Sequence, residues 1–222
     1  MLEYVKMRAI LDREVASDLG GKKDGELSGI VRIAGHYSAI TYVALPALAP
    51  LLRRNPNLQI EALVREDDDV PAVLDRGECE FAILQRPNHK EGYESVLLGH
   101  ERYVLVQSAR FKSRHNIFID SHHSDVITDE FFKAQPASKR LASYGRSFLH
   151  NETTIARAVA LGIGQAVVVE GELRGNKDLR GVSGYKPLLL PNYLQCSKQV
   201  ELSRTLITIR DALAVGARRS LK

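Results

Sequence analysis

The run Gly29-Ile30-Val31-Arg32-Ile33-Ala34-Gly35 is the feature that most constrains the fold. A short apolar run bounded by glycines reads as a buried strand, expected over 30–34. Residues His36 to Pro46 then read as a turn leading into an amphipathic segment, with Leu45, Leu48 and Leu52 on one face. Pro46 conflicts with a straight helix, so a late or bent first turn is expected. Asn55-Pro56-Asn57 breaks that helix, and residues 58–65 alternate apolar and polar as a half-buried strand does. Asp69 and Pro71 suit the start of a short helix that Gly77 closes. Residues 80–84 are nearly continuous apolar, as in an interior parallel strand. The order is βαβαβ. Such a unit places strand ends and the following helix starts around one crevice, where a small ligand would bind.

The rest of the chain repeats the alternation less cleanly. Residues 96–98 and 103–107 read as two strands around Gly99, and 108–125 is a polar stretch around Ile117-Phe118-Ile119. Asn151 is a cap candidate for a helix that buries Ile155 and Val159 and ends at Gly162. Residues 165–169 form another strand. A last helix follows the cap candidate Ser203 and aligns Leu202, Leu206, Ile209 and Leu213. Residues 2–19 read as a helix, with Gly20-Gly21 as its stop and a polar linker after it.

A length of 222 residues allows one large domain or two lobes of about 100 residues each. No apolar run is long enough to span a bilayer, and the first residues lack the layout of a secretory signal. Two cysteines do not suggest a disulfide framework, so a cytoplasmic, membrane-free protein is expected. The net charge of +4 is spread along the chain rather than clustered on a reading element, which argues against direct nucleic-acid binding.

At this point the chain resembles a known family. The segment from Gly25-Glu26-Leu27-Ser28 through Gly35 resembles the opening of the effector-binding domain of LysR-type transcriptional regulators. Ala44-Leu45-Pro46-Ala47-Leu48, Arg54-Asn55-Pro56-Asn57-Leu58 and the stretch from Leu74-Asp75-Arg76-Gly77 to Ile83 extend the likeness. Arg157-Ala158-Val159-Ala160-Leu161-Gly162-Ile163-Gly164 and Leu202-Ser203 complete it, over roughly residues 2–215. The resemblance implies an α/β fold of the type 2 periplasmic-binding-protein kind: two Rossmann-like αβ lobes joined by two crossing segments, preceded by a short linker helix. Lobe I is expected over 27–107 and 199–222 and lobe II over 108–198, with 1–26 as linker helix and linker. The crossings are expected near 107–113 and 194–199. The family's winged helix-turn-helix is not in this sequence, so DNA is expected as a partner only through such a domain. The chain is expected to be a piece of a longer regulator or a stand-alone effector domain.

The implied function is to sense a small effector in the inter-lobe crevice and to form a homodimer or tetramer, with no catalytic residues, cofactor or metal. An anion would suit helix-start amides and hydroxyls there. The family places hydroxyl residues in the turn after the first strand. Here the corresponding positions hold Tyr37 and Ala39, with Ser38 between them, so a narrower pocket or a less anionic ligand is expected. Ser38 is either a helix cap or a ligand contact. Gln85 and Arg86 follow the third strand, His150 and Asn151 open the later helix, and Ser121 and His122 lie in a polar cluster; each is a candidate effector contact, with cap, loop or surface as the ordinary alternative.

His122 and His123, as neighbours on a strand, would face opposite ways and could not easily share an ion. Cys79 is expected in the core, and Cys196 near a crossing. Gly162-Ile163-Gly164 follows a helix rather than opening one, so it is not a phosphate loop. A solute-binding protein or a small-molecule enzyme on the same two-lobed fold is the alternative, but no catalytic constellation stands out.

Overall fold

The computed structural model describes residues 26–87, 89, 91–198 and 203–221. The expected helix over 2–19 and the expected core residue Leu202 lie outside the described residues. In chain order the strands are β1 (Gly29–Gly35), β2 (Leu58–Val64), β3 (Phe81–Leu84), β4 (Tyr93–Ser108), β5 (Ile117–Asp120), β6 (Gly145–Phe148), β7 (Ala166–Val169), β8 (Leu179–Gly181) and β9 (Leu188–Ser197). The α-helices are α1 (Leu45–Arg54), α2 (Val70–Asp75), α3 (Ile127–Lys133), α4 (Glu152–Ala160), α5 (Glu170–Gly175) and α6 (Arg204–Ser220). The described residues form two compact units, the first running up to His100 and resuming at Pro191, the second spanning Glu101–Leu190. The chain crosses between them within β4 and within β9.

In unit 1, β1 lies between β2 and β3 and runs parallel to both, with Gly29 opposite Leu58 and Ile33 opposite Phe81. β9 runs antiparallel beside β3. The parallel core explains the apolar runs: Val31, Ile33, Phe81 and Ile83 are all buried, with helices α1 and α6 contributing Leu48, Ile209 and Leu213. Ser203 caps α6 by accepting the Leu206 N–H at 3.4 Å. The conflict at Pro46 is resolved by a π-helical turn, Ala39–Ala44, that runs into α1 and leaves Pro46 in the first α-helical turn. The helical path is continuous through Ala44 and Leu45, the Leu45 N–H bonds the Ile40 carbonyl five residues back, and Pro46 adds no donor to that ladder. Asp69 stands at the start of α2, but its side chain makes no capping bond. Its backbone is already helical, at φ −88° and ψ −24°, because its N–H closes a turn onto the Glu66 carbonyl.

The two strands expected around Gly99 are one continuous strand, β4. Gly99 has φ +151°, and a Cβ there would lie 2.8 Å from Leu221 Cβ. Only glycine accommodates both that backbone and that neighbour, so here it continues a strand instead of ending one.

In unit 2, β4 pairs antiparallel with β7 and β8. β5 and β6 form a separate parallel pair, and the Ile119 N–H and Ile117 carbonyl also bond the backbone of Gln165. The expected polar stretch 108–125 therefore contains a strand, and Phe118 and Ile119 are buried within it. Phe118, Phe131 and Phe132 pack edge to face at 5.1 and 5.4 Å. Gln135, itself buried, bonds the Phe131 carbonyl and both backbone polar groups of Lys186.

Candidate functional site

The C-terminal ends of the parallel strands β1, β2 and β3 bring three loops to one edge of unit 1. Gly35 ends β1, where a Cβ would lie 3.1 Å from the Ile83 carbonyl oxygen and 3.4 Å from Ile40 Cδ1. Its absence lets His36 leave the sheet close to β3. The Arg65 N–H bonds the Gly35 carbonyl at 3.1 Å, and the Gln85 N–H bonds Asp67 Oδ1 at 3.0 Å. The loops after β1, β2 and β3 are thus tied to one another.

His36 organises the first loop. Its Nδ1 lies 3.0 Å from Ser38 Oγ and accepts the Ala39 N–H at 3.4 Å. Its Nε2 lies 3.3 Å from Asn192 Oδ1 on β9. Antiparallel register explains that meeting: Leu84 opposes Tyr193, so Asn192 comes next to the exit of β3. Asn192 is fully buried.

The candidates in unit 1 are distributed as follows. Ser38 is buried and makes no capping bond; its hydroxyl is on His36 instead. Ala39 is fully buried in the apolar core, so only its N–H enters the polar geometry. Tyr37 stacks edge to face on Tyr42 at 6.4 Å. Gln85 is half-buried and Arg86 exposed. His36 and Asn192 were not singled out from sequence. They are 156 positions apart, and no local pattern marks a single asparagine on an apolar strand.

In unit 2 the end of β5 carries a second polar cluster. Asp120 is buried, accepts from Thr128 Oγ1 at 2.5 Å, and pairs with Arg146 Nε. Arg146 also donates to the Asp125 carbonyl at 2.6 Å and lies 3.9 Å from Asp129. Burial raises the Asp120 carboxyl above its ordinary value, outweighing the bonds from Thr128 and Arg146 that pull it down. Burial alone would lower Arg146, but its bond and attraction to Asp120 leave it raised. The Tyr144 hydroxyl donates to Asp129 and is raised, chiefly by burial.

The unit 2 candidates stand around this cluster. The Ser121 N–H donates to Asp125 Oδ2 at 3.1 Å, and His122 Nδ1 lies 2.9 Å from Ser124 Oγ. Residues 121–124 form a bend and turn rather than a strand, so strand alternation does not separate His122 from His123. His123 stacks on Phe148 at 3.9 Å. Among the described residues no group of three or more His, Cys, Asp or Glu could hold a metal. His150 and Asn151 are exposed, and Asn151 Oδ1 caps α4 by accepting the Thr154 N–H at 3.1 Å. Cys79 and Cys196 are both buried within the apolar clusters of unit 1. No helix among the described residues is long and apolar enough to cross a membrane.

The comparisons agree with this architecture. Full-length LysG from Corynebacterium glutamicum with bound effector Arg superposes with a TM-score of 0.70 at 16% identity, covering 98% of this chain and 76% of that one. ArgP from Mycobacterium tuberculosis gives 0.74 at 18% identity, covering 97% and 76%. The regulatory domain of CcmR from Synechocystis in complex with 2-PG gives 0.68 at 15% identity, covering 84% and 96%. No curated protein matches in sequence. The LysR substrate binding domain family matches residues 24–214. With that match spanning most of the chain, over a type 2 periplasmic-binding-protein-like fold, the protein belongs to the LysR substrate-binding domain family, the ligand-sensing part of LysR-type transcriptional regulators.

Proposed function

We propose that the tied loops at the strand ends of unit 1 contact a small-molecule effector, and that its binding shifts the population of two states of the regulator. The observation that supports this reading is the His36–Ser38–Asn192 group. It is a polar cluster set into an apolar edge, where parallel strands end and a helix begins. Tyr37, Ser38, Gln85 and Arg86 are the proposed contacts around it. By the same reasoning the end of β5 supports Ser121 and His122, and the start of α4 supports His150 and Asn151, as contacts in unit 2. LysG is bound to Arg and CcmR to 2-PG, so relatives of this fold take small polar molecules. We further propose that the chain works inside the cell as a homodimer or tetramer, reaches DNA through a separate reading domain, and performs no chemistry on its ligand.

A thermal-shift screen of polar metabolites, followed by mass analysis of each stabilising compound after incubation, tests this. Saturable stabilisation by a compound recovered unchanged is expected. A compound converted to product would replace the sensor reading with an enzyme. Absence of any stabilising compound would overturn both.

A further inference from the structure

We infer that Asn192 is the residue that selects the effector's chemistry: its amide presents a preset donor that takes a hydrogen-bond-accepting oxygen and rejects a donor-only group such as an ammonium. The inference rests on the proposed effector role of unit 1.

The argument is a chain of hydrogen-bond polarities. The Ala39 backbone amide can only donate, and it donates to His36 Nδ1. Nδ1 is therefore bare, and the neutral ring carries its proton on Nε2. Nε2–H faces Asn192 at 3.3 Å, so the atom it meets is the acceptor Oδ1. Turning the amide over would place donor against donor. The Asn192 Nδ2 group is consequently held on the far side of the amide from His36. It is buried and has no hydrogen-bond partner among the described residues. A buried donor left unmade keeps its desolvation cost, which an accepting ligand atom would relieve. A leucine would fill this strand position without that cost. The His36 ring thus acts as a positioning residue, and Asn192 as the contact.

The effector is then a molecule with a carboxylate or carbonyl oxygen. Asn192 lies directly next to the last paired position of β9, where Tyr193 opposes Leu84 at the end of β3.

The test is side-chain amide NMR of the whole chain, titrated with sodium propionate, propionamide and propylammonium chloride as probes. Propionate and propionamide should move the Asn192 Nδ2 protons downfield in a saturable way, and propylammonium should leave them in place. Asn192→Asp, which keeps an acceptor for His36 but replaces the donor by a second oxygen, should weaken propionate at least tenfold. A long-range nitrogen correlation spectrum should show His36 protonated on Nε2 and bare on Nδ1.

Equal response to propylammonium, unchanged propionate affinity in Asn192→Asp, or a proton on Nδ1 overturns the inference. So does an Asn192 amide that contacts one long-lived water and ignores every probe. If a metabolite from the stabilisation screen shifts Tyr37 and Gln85 but not Asn192, this inference fails while the effector role stands. If nothing perturbs that edge of unit 1, both fail. Should Asn192→Asp not fold, Asn192→Ser, which retains a hydroxyl able to accept or donate, should bind propionate and propylammonium with less than threefold preference.

Discussion

A methyl group placed on Gly216 would lie 2.4 Å from Ala47 Cβ and 2.7 Å from Ala47 Cα. Helices α1 and α6 therefore meet at a point where one of them has no side chain at all. The apolar core of unit 1 is built around this contact, with Leu48 from one helix and Ile209 and Leu213 from the other fully buried.

Two effects oppose each other when Gly216 is changed to alanine. Helix propensity favours alanine by about 1 kcal/mol. Overpacking against a helix backbone costs about 1–3 kcal/mol, and the upper part of that range applies where the obstructing atoms are Cα and Cβ. Gly216→Ala should therefore lose about 1–2 kcal/mol in urea unfolding despite its better propensity. Adding Ala47→Gly should recover part of the loss. A more stable Gly216→Ala protein would show that the helices are not in contact there.

Asp120 imposes a pH dependence whose sign follows from its raised carboxyl. The folded state binds this proton at a higher pH than the unfolded chain does. Between the unfolded value, about 3.9 for an ordinary aspartate, and the raised folded value, the native state holds more protons. Stability from this group is thus fully present below the unfolded value and is lost as pH rises through the folded one. The difference in unfolding free energy, wild type minus Asp120→Asn, should fall across that window and flatten above it. A difference that rises with pH would mean that the Arg146 and Thr128 bonds outweigh burial.

Asn151 offers a simple distinction between structural and binding roles. Its side chain accepts the Thr154 N–H, which an alanine cannot do. Asn151→Ala should cost about 1 kcal/mol of stability, and Asn151→Ser should retain most of it. If Asn151→Ser is as stable as the native protein yet loses response to a stabilising metabolite, the residue contacts the ligand as well as capping α4.

Much of unit 1 was legible in the sequence for local reasons. Strand β3 stood out because an interior parallel strand is apolar on both faces, and Phe81 to Leu84 are all buried. Asn151 and Ser203 could be read as caps because capping depends on a bond three residues away. Asp69 shows the limit of that reading. Its residue type fits a cap, but the turn closing onto Glu66 had already fixed its backbone as helical. Strand β5 was obscured because Phe118 and Ile119 are only a short apolar run among polar neighbours. Its pairing comes from β6 and Gln165, which lie far along the chain.

The sequence by itself determined the alternation of strands and helices, the breaks between them, and the family likeness carried by its glycines and apolar runs. These depend on backbone preferences and on periodic burial, which act over a few residues. Tertiary structure alone decided the polar centre of unit 1. His36 and Asn192 meet because β9 returns antiparallel beside β3, and the ring's proton position follows from the Ala39 amide. It also decided that Gly99 continues a strand and that Gly216 is a helix contact. In each case the deciding partner is distant in sequence, and only folding brings it within reach.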